Sequence, residues 1–195
     1  MCRKGLQDQL VPVLERDAFF VERMVQSGVP ARYYLIVLRS ASKVVPTEGE
    51  MVEENVQLVK RWFEEVWNQK RSDTIIELVS TDCVAHGTSE TGEELHGPEG
   101  FRALQARILE AFPDIHFTVH DCFGAGDRVV ARWSATMHHR GNGLGMAATG
   151  AEVNITGTGM VRMENGKVTE VWDNWDKFAM FQQIESAVKA KSASA

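Results

Sequence analysis

Residues 128–139 constrain the fold of this chain more than any other run. Val129, Ala131, Trp133, Ala135, Met137 and His139 fall at alternate positions, and Arg128, Arg132, Ser134, Thr136 and His138 lie between them. Alternation of that length belongs to a strand with one covered face and one polar face, not to a helix. Such a strand needs neighbours. Residues 115–122 alternate too, with Ile115, Phe117 and Val119 set against His116, Thr118 and His120, and Gly124-Ala125-Gly126-Asp127 forms the turn between the two strands. A glycine-rich connection, 141–150, leads to a third strand at 152–163. Asn165-Gly166 then marks a hairpin to a fourth at 167–175.

Upstream, the period is that of a helix. Val56, Val59, Phe63 and Val66, flanked by Trp62 and Trp67, predict a first helix over 51–69 that Asn68-Gln69-Lys70 ends. Ser72-Asp73 can cap a second helix carrying Ile75, Ile76, Leu78 and Val79. After a glycine-dotted loop at 86–97, Pro98 opens a third with Phe101, Leu104, Ile108 and Phe112 as its apolar stripe, and Pro113 stops it. Asp176 can cap a closing helix over 177–190, leaving 191–195 as a frayed tail. Helices first and antiparallel strands after give an α+β order rather than βαβ units. A strongly curved sheet wrapped against those helices would leave a conical pocket between them.

Composition removes several functions. The 195 residues carry 21 Lys+Arg against 27 Asp+Glu, a net charge of −6, with no basic stripe. Nucleic-acid binding is therefore not expected, because affinity for phosphates rests on clustered Lys and Arg. The longest apolar run, Tyr33 to Leu38, is far too short to span a membrane. Three cysteines, Cys2, Cys83 and Cys122, have no CxxC spacing, so neither a disulfide framework nor a thiolate zinc site is expected. A reducing, cytoplasmic setting fits that usage.

Residues 1–50 stand apart. They hold +1 of the charge and end in the polar stretch Val45-Pro46-Thr47-Glu48-Gly49-Glu50, which reads as a linker. Their acidic residues and lack of an apolar core argue against a targeting peptide. Two readings stay open: a helical arm using Leu14, Phe19, Phe20 and Met24, or an upstream artefact with translation starting at Met51. Function is expected in 51–190.

Chemistry concentrates in Val171-Trp172-Asp173-Asn174-Trp175-Asp176. On a strand, Asp173 shares a face with Thr169, Val171 and Trp175, so a pocket-facing carboxylate there would be desolvated and its pKa raised, as a general acid/base requires. The alternative turns Asp173 to solvent or a subunit partner and leaves Val168 and Trp172 as core. His139 is a second candidate; a hydrogen-bonded core or rim role competes with catalysis. His86 and His96 bracket the glycine loop and could line a pocket mouth or simply be solvated. Trp62, Phe63, Trp133 and Trp175 could wall a pocket or pack the core. His116 and His120 would sit about 13 Å apart on a strand, too far to share a metal ion. Gly141-Asn142-Gly143-Leu144-Gly145 lacks the spacing and context of a phosphate loop, and no G-x-S-x-G elbow is present.

Several stretches together resemble a known family. They are Val59-Lys-Arg-Trp-Phe-Glu-Glu-Val-Trp-Asn68, Leu95-His-Gly-Pro-Glu-Gly-Phe101, Ala111-Phe-Pro-Asp114 and Gly126-Asp-Arg-Val-Val-Ala-Arg132, followed by 139–150 and Gly166 to Asp176. In that order they resemble the SnoaL-like polyketide cyclases (ester cyclases) of the nuclear-transport-factor-2-like superfamily. The resemblance implies an α+β cone, a hydrophobic small-molecule substrate, often a homodimer, and no metal or organic cofactor. For cyclase members it implies intramolecular aldol closure of a polyketide ester, with the last-strand acid/base falling on Asp173. His139 matches the histidine of a T-H-x-G stretch in which His138 replaces threonine. Two departures stand out: Ala147-Ala148 replaces a proline pair, and Gly159 occupies a position where some cyclases carry histidine. Within the superfamily, an isomerase site would want a tyrosine donor, and the only tyrosines are Tyr33 and Tyr34. An epoxide-hydrolase site would want an Asp-Arg-Asp set, and Arg132 falls on the wrong face. A non-catalytic ligand-binding or dimerisation module is the remaining alternative.

Overall fold

The computed structural model describes residues 47–193. The readings on Cys2, Tyr33 and Tyr34, and on residues 1–46 of the 1–50 extension, lie outside them. Helix α1 (Glu48–Arg61) starts three residues before Met51, because Thr47 and Glu50 form a capping box. Thr47 Oγ1 accepts from the Glu50 amide at 3.3 Å and Glu50 Oε2 accepts from the Thr47 amide at 2.7 Å. The stretch read as linker thus supplies two otherwise orphaned helix donors with partners. Thr47→Ala should lower the Tm by about 2–4 °C in a thermal scan, and an unchanged Tm would show the box to be idle.

The helix continues as a π-helical segment, Trp62–Asn68, that buries Phe63, Val66 and Trp67. Asn68 then pairs like a strand with Phe117, accepting from its amide at 2.8 Å and donating to its carbonyl at 3.1 Å. Lys70, at φ 61°, turns the chain out. Short α2 (Asp73–Leu78) follows, without the Ser72 side-chain cap that the sequence predicts. Helix α3 (Gly97–Ala111) buries Phe101, Leu104 and Ile108 at the predicted helical spacing, but it ends at Ala111, so Phe112, the last member of the expected stripe, is buried from the non-helical C-cap position.

Six strands form one sheet: β1 (Val79–His86), β2 (Leu95–His96), β3 (His116–Ala125), β4 (Arg128–His138), β5 (Glu152–Glu164) and β6 (Lys167–Trp175), in the order β2-β1-β6-β5-β4-β3. The sheet is curved and open, and helix α4 (Lys177–Ala193) closes the chain. Asp176 Oδ1 accepts from the Ala179 amide at 2.7 Å, the expected cap. None of the described helices is long and apolar enough to cross a membrane.

Two features of the sheet that shape the cavity face were not expected. The first is β1 with its short neighbour β2: β1 runs parallel to β6, although every other pairing is antiparallel. The second is a bulge at Thr169, where Met163 pairs with Val168 but Arg162 pairs with Glu170. One extra residue inverts the faces before it, so Val168, not Thr169, joins Val171 and Asp173 on the inner face. On β4 the alternation holds, with Val129, Ala131, Trp133, Ala135 and Met137 all buried. Asn165 and Gly166, at φ 52° and 74°, make the β5–β6 hairpin with both residues left-handed, as a type I′ turn requires.

Candidate active site

Between the inner face of the sheet and the helices lies a partly open cavity with about 1040 Å³ of empty space, counting its mouth. Its wall mixes aromatic rings with aliphatic side chains: Trp62, Phe63, Trp133 and Trp175 all line it, joined by Trp67 and Phe101. Trp133 packs against Phe117 and Phe63 at 5.0 and 6.3 Å between ring centres, and Trp62 meets Phe101 edge-on at 5.4 Å. Gly157, opposite Trp133 on β5, leaves room for that indole; a Cβ there would stand 2.3 Å from Cζ2.

Asp173 projects into this apolar space from β6. Its Oδ1 is closed to solvent and has no hydrogen-bond partner, although the residue as a whole is only half-buried because it faces the cavity. Burial pushes its pKa from 3.8 up to about 6, opposed by the nearby Lys177 charge. Gly159 is its cross-strand partner on β5, and a Cβ at that position would lie 3.2 Å from Oδ1. The glycine therefore leaves the space beside the carboxylate open.

The other predicted residues lie elsewhere. His139 is fully buried but is not part of the cavity wall. Strand β4 ends at His138, and His139 turns under the 141–150 connection, where Nδ1 meets Thr149 Oγ1 at 3.1 Å and the ring packs on Phe112. Burial lowers its pKa, so the ring stays neutral at physiological pH. The structure does not bring it together with Asp173. His86 sits on the opposite face of the sheet, between Glu94 at 2.7 Å and Glu170 at 3.3 Å, stacked on Trp172. His96 precedes α3 and is exposed. Arg132 also points outward, to Asp121 at 2.6 Å, so no Asp-Arg-Asp set forms in the cavity. His116 and His120 lie on a strand as expected, and His120 bonds Ser134 at 2.8 Å. Among the described residues no cluster of three His, Cys, Asp or Glu is placed to hold a metal ion. Burial raises the Cys83 thiol to about 11 and also raises Cys122, which makes both poor nucleophiles.

One polar group in the cavity escaped the sequence reading. Thr88 lies in the β1–β2 connection, and its Oγ1, like Asp173 Oδ1, is buried without a partner. Nothing in the local pattern marked it, since β1 itself went unread.

The model of the SnoaL-like polyketide cyclase family matches residues 57–184, about two-thirds of the chain. The chain belongs to the SnoaL-like polyketide cyclase family. The aklanonic acid methyl ester cyclase DnrD of Streptomyces peucetius is 28% identical over 130 residues, covering 66% of this chain and 89% of that one. Among solved structures, one from Jannaschia sp. assigned as a SnoaL-like polyketide cyclase superposes with a TM-score of 0.63 at 24% identity, over 71% of this chain and 96% of that one. An LEH-like epoxide hydrolase of M. tuberculosis shares the fold at a TM-score of 0.55 and 15% identity, over 74% of this chain and 99% of that one. The fold is the expected α+β cone of the nuclear-transport-factor-2-like type, and it hosts more than one chemistry.

Proposed function

We propose that this protein is a SnoaL-like ester cyclase that uses Asp173 to close a ring in a hydrophobic, polyketide-like ester. The observation that carries this reading is the unpartnered Asp173 Oδ1 in an aromatic-lined cavity. A carboxylate with a pKa near 6 is poised to take and return a proton at neutral pH. Asp173 removes the proton from an activated carbon next to the ester carbonyl. The resulting enolate carbon attacks a ketone of the same molecule and the new C–C bond forms. The ketone oxygen, now an alkoxide, recovers the proton from Asp173. Proton and electron pair balance within the substrate and one carboxyl group, so the cycle calls on no cofactor. The apolar, aromatic-bearing wall would hold the chain in the folded pose that brings both carbons together, the larger share of the rate gain. In this reading the protein works as a homodimer in the cytoplasm, which light scattering and fractionation would check.

The test is turnover of an aromatic polyketide methyl ester across pH. Because the base form of Asp173 is needed, kcat/KM should rise through an apparent pKa near 6 and level off above it. Ester binding without turnover at any pH would instead support the non-catalytic module.

A further inference from the structure

We infer that Thr88 is a substrate-binding residue whose hydroxyl donates a hydrogen bond to the carbonyl oxygen of the ligand at Asp173. This role rests on the ligand site proposed above and adds the group that would hold the enolate oxygen. Two observations support it. Thr88 Oγ1 and Asp173 Oδ1 are each sealed from solvent with no partner, and both residues line the same cavity. A buried hydroxyl without a protein partner costs free energy, so a bound group in the cavity that accepts its hydrogen bond is favoured.

The second observation is how firmly Thr88 is held beside Asp173. Gly87, at φ +75°, lies directly on the Asp173 backbone; a Cβ there would stand 2.3 Å from the Asp173 carbonyl oxygen. Only glycine combines that turn with that approach. The Thr88 carbonyl accepts from Trp175 Nε1 at 3.1 Å. Just beyond, buried Ser89 bonds Thr91 at 2.8 Å, and Glu90 receives two bonds from Arg107 of α3 at 2.7 and 3.1 Å. Burial is the largest single influence on the Glu90 pKa and would raise it, but the Arg107 bonds and charge, a backbone hydrogen bond and Ser89 together bring it below the ordinary value. The connection is pinned at both sides of Thr88, and its hydroxyl is left free. With Gly159 contributing no side chain on the β5 flank of Asp173, Thr88 is the hydroxyl placed to act.

The role separates base from donor. Above pH 7 an ionised Asp173 only accepts, so a ligand carbonyl needs a different group. A preorganised donor of this kind typically contributes 10²–10³-fold to turnover.

The test uses the full chain at pH 8 and two probes of matched shape, 2-acetylnaphthalene and 2-isopropenylnaphthalene, which differ by a carbonyl oxygen in place of a methylene. Binding is read by quenching of tryptophan fluorescence. The wild type should bind the ketone about tenfold more tightly than the alkene. Thr88→Val should remove that preference without lowering the Tm, since it deletes an unsatisfied hydroxyl, and Thr88→Ser should restore it. A preference that survives Thr88→Val, or none in the wild type, overturns the role of Thr88. Failure of the cyclase reading would show separately, as absent turnover of the methyl ester while the ketone preference and its Thr88 dependence persist.

Discussion

Asp173→Asn should make the protein more stable and far less active, and the gain in stability should depend on pH. The carboxylate is ionised at neutral pH in a cavity that gives its Oδ1 no partner. Its pKa is pushed from 3.8 to about 6 by burial. Between those values the folded protein holds a proton that the unfolded chain has released, so stability falls as pH rises through that window. The penalty is absent below about pH 3.8, grows up to about pH 6, and is constant above. It amounts to about 3 kcal/mol at most, the free energy that such a displacement represents. Asparagine carries no charge and escapes the penalty. Urea titrations of the two proteins should therefore give similar stabilities near pH 4 and a gap approaching about 3 kcal/mol at pH 8. A gap that does not change with pH would mean that the carboxylate is not desolvated. In the same variant, turnover should fall by about 10²–10⁴-fold, as loss of a general base does. A residue kept at a stability cost and needed for rate is what a functional site predicts; a structural aspartate would lose stability on the same change.

The strands were legible where a single local rule determined them. The alternation on β4 and the Asn165-Gly166 turn needed nothing from the rest of the chain. β1 was not legible, because Ser80, Thr81 and Asp82 interrupt its apolar pattern, leaving Cys83 and Ala85 to carry the buried face. Its parallel pairing with β6 depends on residues far along the chain. The orientation of Asp173 was undecidable locally for a related reason: strict alternation would put Val168 with Trp172 on the opposite face as a rival apolar set, and the bulge at Thr169 that moves Val168 to the inner face belongs to the β5 register rather than to any residue type. His139 lies off the expected face for a different reason. Alternation placed it beside Trp133 and Met137, but the strand ends one residue earlier, and the ring turns into the packing under the next loop. The sites that tertiary contacts assemble, Thr88 above all, were the ones that periodicity could not reach.

Gly141→Ala should cost more stability than any substitution above, although Gly141 touches neither the cavity nor Asp173. Its glycine-rich segment is not a phosphate loop; it docks on the end of α3. The last turn of a helix leaves carbonyls without partners, and the Ala111 carbonyl is met by the amides of Arg140 and Gly141 at 3.0 and 3.1 Å. To bring them there the loop backbone must lie against the helix backbone. A Cβ on Gly141 would stand 1.8 Å from the Glu110 carbonyl oxygen, and one on Gly143 would stand 2.0 Å from that of Arg107. Neither obstacle is a side chain that can swing away. Relief requires lifting the loop, which breaks the two bonds and uncovers Phe112 and His139, both fully buried beneath it. Overpacking a tight contact costs about 1–3 kcal/mol, and loss of the cap and of the buried ring adds to that. Chemical denaturation should show a loss of about 3 kcal/mol or more for Gly141→Ala, and a comparable loss for Gly143→Ala. Gly49→Ala in α1 is the control, because nothing lies within 4 Å of its Cβ; it should be neutral or slightly stabilising. A loss below about 1 kcal/mol at Gly141 would mean that the loop does not rest on the helix. In that case its glycines would need another explanation, and His139, freed from its lid, would again be accessible for chemistry.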